Sequence, residues 1–222
     1  MNKRSHDHAY VPALSYDFLT PLYDPIVRLT TRDHTLKRRL LEQGGVRDDH
    51  RVLDIGCGTG TLLLLVRERV ERATLIGLDG DLRILRIADS KSRKRPLPLA
   101  WVQAFSSQLP FASDAFDRVF STLMLHHLSS DEKVATMREI LRVLKPGGEV
   151  HIADWGRPHN LLMRVASLPL RLGHHGERAT DNVQGRLPDL LRAAGFNDPQ
   201  ECARFATVFG TLSFYRASRD WR

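Results

Sequence analysis

The sequence predicts a doubly wound α/β fold, in which helices cover a mostly parallel seven-stranded sheet that ends in a C-terminal antiparallel pair. From residue 51 onward, short apolar runs alternate with longer amphipathic segments, as expected for a parallel sheet flanked by helices. A glycine-rich turn joins the first apolar run to the first amphipathic segment. Two β-rich runs separated by Gly210 close the chain, which is typical of a hairpin.

Each element has its own signal in the sequence. Apolar runs predict strands at 51–55, 73–78, 99–103, 117–121 and 149–154. Amphipathic segments predict helices at 60–71, 81–91 and 131–144. The last of these begins after Ser129 or Ser130 with acidic residues in its first turn, and it ends before Pro146. A short helix at 187–194 and closing strands at 201–208 and 211–217 complete the prediction.

Two regions fall outside the alternation. Residues 1–45 have a mainly helical pattern and are predicted to form an N-terminal cap on a main domain of residues 46–222. The rhythm also changes after residue 156, and 156–190 is predicted to be a lid over the strand ends. Substrate contacts are expected from this cap and lid.

Composition indicates a globular chain with a basic surface. The formal net charge of +7 is compatible with nucleic acid, anionic lipid or an acidic metabolite as a partner. The dense basic run at 91–95 contains no aromatic side chain that could stack on a base, so we interpret it as a solvated turn.

Cysteine usage and hydropathy predict the compartment. Two distant cysteines, Cys57 and Cys202, favour a reducing compartment over a disulfide framework. The sequence has no apolar run of signal-peptide or membrane-spanning type. We therefore expect a soluble, cytoplasmic protein, for which peripheral membrane contact stays open.

The glycine-rich turn, VLDIGCGTG at 52–60, is the most informative stretch. Glycine permits positive φ and lets a ligand approach the main chain. The G-x-G-x-G spacing differs from the dinucleotide motif G-x-G-x-x-G, and the turn lacks the Lys–Ser/Thr pair of a phosphate-binding loop. Asp54, just before Gly56, would repel a pyrophosphate. The turn therefore favours a ligand that has an ammonium group and no phosphates.

A second acidic residue, Asp79, ends the second predicted strand and is followed by Gly80. Ligands of open α/β sheets bind at the carboxyl ends of strands, where a carboxylate can hold both hydroxyls of a ribose. The alternative role for Asp79 is a helix N-cap, for which Asp81 is the better placed candidate.

Together these residues resemble the class I S-adenosylmethionine (SAM)-dependent methyltransferases, especially the branch with quinone-ring C-methyltransferases of menaquinone and ubiquinone synthesis. The matching segments are VLDIGCGTG (52–60), GLDGD (77–81), LPFASDAFDRVFSTLMLHHL (109–128) and REILRVLKPGGEVHIADWGRP (138–158). The resemblance implies a Rossmann-like fold with SAM as cofactor, whose methionine part lies near the glycines and whose ribose lies near Asp79. The predicted cofactor-binding residues are Asp54, Gly56, Cys57, Gly58, Gly60, Asp79, Gly80, Phe105, Ser106, Thr122 and Leu123.

The sequence departs from the family pattern after the third strand. The family often has an Asp–Ala pair there, whose carboxylate accepts a hydrogen bond from adenine, whereas this chain has Phe105–Ser106. Phe105 either packs on the adenine face or belongs to the core, and Ser106 can supply a polar contact.

Methyl transfer from a sulfonium needs alignment and exclusion of water above all, and a base only when the acceptor must lose a proton. The candidate bases are His126 and His127, directly after the fourth strand, with a structural role as the alternative. No metal site is predicted, because the histidine pairs lack the i, i+4 spacing of ligands on one helix face.

The substrate-binding candidates lie in the cap and near the lid: Tyr16, Tyr23, Arg32, Trp155 and Asn182. Arg32 either binds the methionine carboxylate or pairs with Asp33. The apolar run at 161–163 is either the buried face of a lid helix or a surface for a lipophilic acceptor or a membrane.

The expected function is methyl transfer from SAM to a small hydrophobic or aromatic acceptor. An RNA- or DNA-methylating enzyme is the alternative, but Ser121–Thr122–Leu123–Met124 stands where base-amine methyltransferases have Asn/Asp-Pro-Pro-Tyr/Phe. Nucleic acid is thus a disfavoured partner. A non-catalytic SAM-binding protein is a further alternative, and the oligomeric state is left open.

Overall fold

The structure is a computed structural model that describes residues 33–94, 99–168 and 176–221. The elements, in chain order, are α1 (Asp33–Gly44), β1 (Arg51–Ile55), α2 (Thr61–Arg67), β2 (Thr74–Asp79), α3 (Leu82–Arg93), β3 (Leu99–Gln103), β4 (Phe116–Thr122), α4 (Ser130–Val143), β5 (Leu144–Trp155), α5 (Leu161–Ala166), α6 (Gly176–Val183), α7 (Leu187–Ala194), β6 (Asn197–Thr207) and β7 (Gly210–Ser218). A 3₁₀ turn, Leu125–His127, follows β4.

The seven strands of the described residues form one sheet in the order β3-β2-β1-β4-β5-β7-β6. Strands β1 to β5 pair in parallel, and β7 runs antiparallel between β5 and β6. The predicted doubly wound, Rossmann-like fold with a C-terminal antiparallel pair is confirmed. Because parallel strands end at the same edge, the residues that follow β1 to β4 converge there.

Alternation along the strands divides the core between the two faces of the sheet. On one face Leu53 and Val150 pack with helices α4 and α7. On the other face Val52 and Phe120 pack with α1 and α2. The leucines of α1 are almost fully buried in this second cluster, so the helix that ends at Gly44 is part of the packed core.

Strand β6 begins at Asn197 rather than at residue 201, and two further predicted boundaries were wrong for local reasons. Helix α2 ends at Arg67 rather than near residue 71, because the Arg67 guanidinium donates to the carbonyl groups of Val70, Glu71 and Ala73. Strand β5 begins at Leu144, which pairs with Phe116 across an irregularity in the register. The Lys-Pro-Gly-Gly segment is thus part of β5, which was predicted to begin only at residue 149.

A buried polar cluster ties α1 to strands β5 and β7. Gln43 Nε2 donates to His151 Nδ1 at 3.1 Å and to the carbonyl of Tyr215. Since Nδ1 accepts, His151 Nε2–H donates to Glu149, 3.2 Å away. The ring is therefore neutral, in keeping with burial, which lowers the pKa of His151.

Glu149 should contribute to acid stability. The hydrogen bond from His151, with Arg216 and Arg118 nearby, outweighs burial and lowers the pKa of Glu149 from 4.5 to about 2. A depressed carboxyl pKa stabilises the fold above pH 4.5, and that contribution is lost as pH falls towards 2. In urea unfolding across this range, Glu149→Gln should remove a pH-dependent contribution of roughly 2–3 kcal/mol. A parent and variant with parallel pH profiles would contradict this expectation.

Within the described part of the chain, no helix has the length and apolar character needed to cross a bilayer.

Candidate functional site

A cavity of about 570 Å³ opens at the carboxyl ends of β1 to β4. This volume is in the range of small-molecule and cofactor sites. Its lining residues are Ile55, Gly56, Gly58, Leu78, Asp79, Gly80, Ile84, Ala104, Phe105, Ser106, Ser107, Gln108, Thr122, Leu123, Met124, His127, Leu128, Glu132 and Arg178.

The glycine-rich turn forms one wall of the cavity. Gly56, Gly58 and Gly60 have φ values of 68°, 54° and 76°, in the left-handed region that glycine adopts without strain. Gly60 is the N-cap of α2, and a Cβ there would lie 2.3 Å from the Trp101 ring. The positive φ values, which the sequence predicts, and the close packing against Trp101 therefore both require glycine in this turn.

The effect of a side chain at Gly56 can be isolated with a matched variant. A Cβ at Gly56 would lie 2.4 Å from Met124 Cγ, whereas at Gly45, with φ 51°, it would meet no described atom within 4 Å. Gly56→Ala and Gly45→Ala should each lose about 1–2 kcal/mol from the positive φ. In calorimetric titrations, Gly56→Ala should weaken ligand binding, because Met124 is displaced into the cavity. Equal affinity in the two variants would contradict this.

Asp79 holds the turn and faces the cavity. Its Oδ2 accepts the Gly58 N–H and its Oδ1 accepts the Asp81 N–H, both at 3.0 Å. Burial raises the pKa of Asp79, against the lowering effect of these backbone hydrogen bonds. Helix α3 is capped instead by Asp81, whose side chain accepts from Arg83 N. Asp79 is thus left to act as an acceptor at the cavity wall.

The third-strand side of the cavity is lined by Phe105 and Ser106. The Phe105 side chain is 55% exposed, so the alternative that it belongs to the core was wrong. Ser106 Oγ hydrogen bonds with Thr136 Oγ1 at 2.8 Å, which positions the hydroxyl at the cavity wall. An aromatic face and a hydroxyl therefore replace the carboxylate that is common in the family.

At the end of β4, Thr122 and Leu123 line the cavity floor. Thr122 Oγ1 is buried and has no hydrogen-bond partner among the described residues. Leu123 has φ 53°, which is rare and strained for a bulky side chain. Its N–H donates to the Ala153 carbonyl at 2.8 Å, which helps to hold this conformation. The unpartnered Thr122 hydroxyl and the strained Leu123 backbone are features that are common at ligand-binding sites.

The two predicted histidines occupy different environments. His126 is buried, and its Nδ1 lies 2.7 Å from Asp154 Oδ1. Burial raises the pKa of Asp154, but His126 and the Trp155 N–H outweigh burial and lower it overall. Asp154 is therefore an ionised acceptor for His126 Nδ1–H. His127 lines the cavity, with its ring centroid 4.0 Å from that of His126.

The remaining predicted cofactor residues, Asp54, Cys57 and Gly60, support the glycine turn without lining the cavity. Two predicted substrate residues also lie away from the cavity. Trp155 packs in a core cluster at 7% exposure. Asn182 is fully buried, and its amide has no hydrogen-bond partner within the described ranges. Tyr16, Tyr23 and Arg32 lie outside the described residues.

Sequence reasoning missed three lining residues that carry chemistry: Met124, Glu132 and Arg178. Arg178 on α6 reaches the site from a distant part of the sequence, and its Nη1 donates to the His127 carbonyl at 2.8 Å. Glu132 was overlooked because its place in the capping box of α4 with Ser129 already explains its presence in the sequence. The positive φ of Leu123 has no sequence signal.

The charges around the cavity fit SAM better than a phosphorylated nucleotide. Two carboxylates, Asp79 and Glu132, and one guanidinium, Arg178, line it. The two carboxylates can interact with the sulfonium and ammonium groups of SAM, and the guanidinium can interact with its carboxylate. The several phosphates of a nucleotide would meet only one cation. The glycine turn and the orphaned Thr122 hydroxyl provide close backbone approach and an available polar contact.

Comparisons with known proteins agree with this geometry. Residues 52–148 match a family model described as a methyltransferase domain. This part of the chain is similar to methyltransferase domains, which agrees with SAM as the cofactor that the cavity fits. Among such proteins the chain resembles enzymes named for quinone biosynthesis.

One relative is the demethylmenaquinone methyltransferase of Thermus thermophilus, 32% identical over 142 residues, which are 63% of this chain and 64% of that protein. Another is a ubiquinone/menaquinone biosynthesis C-methyltransferase of Pseudomonas putida, 37% identical over 139 residues, 59% of this chain and 51% of the relative. The chain thus spans between about half and two thirds of the length of these curated relatives.

Solved structures show the same fold. A SAM-dependent methyltransferase from Aquifex aeolicus superposes with a TM-score of 0.68 at 20% identity, covering 91% of this chain and 98% of that one. A SAM-dependent methyltransferase from Methanosarcina mazei gives 0.67 at 21% identity, covering 82% and 98%.

Proposed function

We propose that the cavity binds SAM and that the chain transfers its methyl group to a ring carbon of a lipophilic, quinone-type acceptor. The observation that carries this proposal is the Asp79 carboxylate, which lies at the cavity wall beside the turn after β1 and accepts the Gly58 N–H. The names of the relatives, which act on demethylmenaquinone and on 2-phytyl-1,4-naphthoquinone, support the acceptor class.

In this arrangement Asp79 accepts hydrogen bonds from the two ribose hydroxyls, and the glycine turn lies against the methionine part. Phe105 packs on the adenine face, which apolar contact and ring stacking stabilise. Arg178, the cation of the lining set, is the candidate partner of the methionine carboxylate.

When bound, SAM supplies a methyl group on a positively charged sulfur. Transfer of that methyl group to an electron-rich hydroquinone ring would break the methyl C–S bond, release S-adenosylhomocysteine and leave a ring C–H proton that must be removed to restore aromaticity. His127 lines the cavity and can take a proton from the acceptor. His126, held by Asp154, is a positioning residue that packs against the His127 ring.

We also propose that 156–190 acts as a lid and 1–45 as a cap. Helix α6 lies within 156–190 and brings Arg178 to the cavity, which supports the first assignment. Helix α1 packs on the sheet, so its part of the cap is anchored to the main domain. A cytoplasmic location also stays a proposal, supported by two free cysteines.

The activity can be tested by incubating the protein with methyl-labelled SAM and a reduced naphthoquinone that lacks the ring methyl group. Label should appear on a ring carbon of the acceptor, as identified by mass spectrometry. Transfer to RNA but to no quinone would overturn the acceptor assignment. Cofactor binding without transfer to any acceptor in a broad panel would indicate a non-catalytic SAM-binding protein.

His127→Ala should leave SAM affinity unchanged and lower kcat roughly a hundredfold, with loss of the acidic limb of the pH–rate profile. The matched control is His159→Ala, because His159 is exposed and bonds Thr211 outside the cavity. An unaltered pH profile in His127→Ala would exclude the base role.

A further inference from the structure

Exposed apolar side chains are concentrated at one place on the surface. Of the nine large apolar residues exposed in the described part of the chain, six form what we term the apolar patch. Its members are Leu161, Leu162, Val165, Leu168, Val208 and Phe209. The first four belong to α5 and its C-terminal end, and the last two belong to the β6–β7 turn.

The two parts of the patch lie side by side. A Cβ on Gly210 would lie 3.1 Å from Ser167 Cβ, so the β6–β7 turn packs directly against the end of α5. His159 Nδ1 lies 2.9 Å from Thr211 Oγ1, which fixes the chain before α5 to the same hairpin. Met163 and Ser167 face the domain and are buried. Helix α5 therefore buries one side and presents leucines outward.

The extent of this exposure is unusual. Leu161, Leu162, Val165 and Val208 are 77%, 71%, 64% and 69% exposed. Single exposed apolar residues need no explanation, but a contiguous group indicates a surface that binds something apolar. The alternative that the apolar run is the buried face of a lid helix is wrong for these residues.

A cationic cavity adjoins the patch. It has a volume of about 790 Å³ and is lined by Arg157, Pro158, Arg164, Glu177, Thr180, Val183, Gln184 and Arg186. Arg164 lies on α5 between the leucines of the patch, so the cavity and the patch share one helix. Three guanidinium groups and one carboxylate line it, and the Arg186 guanidinium also pairs with Asp181 at 3.2 Å. Among the described residues, no ion pair or hydrogen bond engages the Arg157 and Arg164 side chains.

We infer that the apolar patch and the adjoining arginines dock this protein onto an anionic lipid bilayer. Apolar side chains on a short helix and a turn can enter the headgroup region, while arginines beside them bind lipid phosphates. Charge complementarity selects a membrane over an apolar protein groove, because each arginine near an anionic surface adds to the attraction. This inference does not depend on the proposed methyl transfer.

The test is flotation of the full chain with phosphatidylcholine vesicles, with and without phosphatidylglycerol. We expect binding to the anionic vesicles, weakened by high salt because exposed charges are screened. Arg157→Gln combined with Arg164→Gln should lower the partition coefficient roughly 25-fold, at about fivefold per arginine. Leu161→Ser combined with Leu162→Ser should lower it at least about tenfold.

Matched controls lie away from the patch. Arg47→Gln combined with Arg72→Gln removes the same charge from side chains that are 68% and 82% exposed near the opposite ends of the strands. Trp221→Ser removes a large apolar side chain that is 84% exposed and packs near Gly147. Neither control should change vesicle binding, and calorimetric SAM binding should be the same in all variants.

Three results would overturn the inference. The first is no binding to anionic vesicles, or equal losses in the patch and control variants. The second is a parent dimer in sedimentation equilibrium that the leucine variant converts to a monomer without loss of vesicle binding, which would assign the patch to a second copy of this chain. The third is saturable binding of inorganic phosphate that requires both arginines while vesicle binding does not.

Discussion

Asp79→Asn is expected to weaken SAM binding at least about tenfold, because a neutral amide replaces a carboxylate that accepts hydrogen bonds from both ribose hydroxyls. Isothermal titration of SAM or S-adenosylhomocysteine measures the dissociation constant directly. Asp81→Asn is the matched control: it removes the same charge two residues away from a side chain that caps α3 and does not line the cavity.

Removal of the charge should not by itself destabilise this variant, although one of the two backbone N–H groups that donate to Asp79 loses its acceptor. Burial raises the pKa of Asp79 above its ordinary 3.8, so ionisation costs the folded state. A raised carboxyl pKa contributes stability below pH 3.8 that is lost as pH rises through the folded-state value. At neutral pH, the loss of the charge therefore removes a desolvation cost from the folded state. An unchanged dissociation constant in a folded Asp79→Asn would contradict the ribose assignment.

Lys133→Met is expected to destabilise the fold by up to about 3–5 kcal/mol, because it removes the buried cation of Asp181 and leaves only the more exposed Arg186, 3.2 Å away. Lys133 is fully buried, and its Nζ lies 3.3 Å from Asp181 Oδ2 and also donates to the Arg178 carbonyl. This pair joins α4 to α6. Because α6 carries Arg178 to the cavity, SAM affinity should fall in the same variant.

The control for this prediction is Lys145→Met. Lys145 pairs with Asp117 at 2.8 Å, but their side chains are 37% and 22% exposed. A partly exposed pair of this kind contributes about 0–1 kcal/mol. Urea unfolding should thus separate the two variants by several kcal/mol. Similar losses in both would show that the Lys133–Asp181 pair does not anchor α6.

The sequence was sufficient for the parts of the site that depend on local pattern. The glycine turn follows a buried strand and precedes a helix, so the short spacing of Gly56, Gly58 and Gly60 already specifies a ligand-approach turn. Asp79 ends the neighbouring strand, and the rule that parallel strands end at one edge places it beside that turn. Both were found where they were predicted.

Local sequence pattern could not predict the long-range contacts. Arg178 reaches His127 across a separation of 51 residues, and Lys133 meets Asp181 across 48. No periodicity encodes such pairings, because they arise only when α6 packs over the strand ends. The same limit applies to Trp155, whose position near the predicted lid suggested a substrate contact although its ring packs into the core.

Surface features were equally hard to assign. The run at 161–163 has the pattern of a buried helix face, yet α5 buries Met163 and exposes its two leucine neighbours. Periodicity locates an apolar stripe but cannot show whether another element covers it. Phe105 shows the same limit, because an aromatic residue after a strand fits a core as well as a ligand site.

The central claim is that the glycine-lined cavity at the end of β1 selects a sulfonium nucleoside over a phosphorylated one. Calorimetric titration of the purified chain with SAM, NAD and ATP under identical conditions tests it most directly. We expect saturable binding of SAM to a single site and no heat of binding from NAD or ATP. Binding of either nucleotide with no response to SAM would contradict the account.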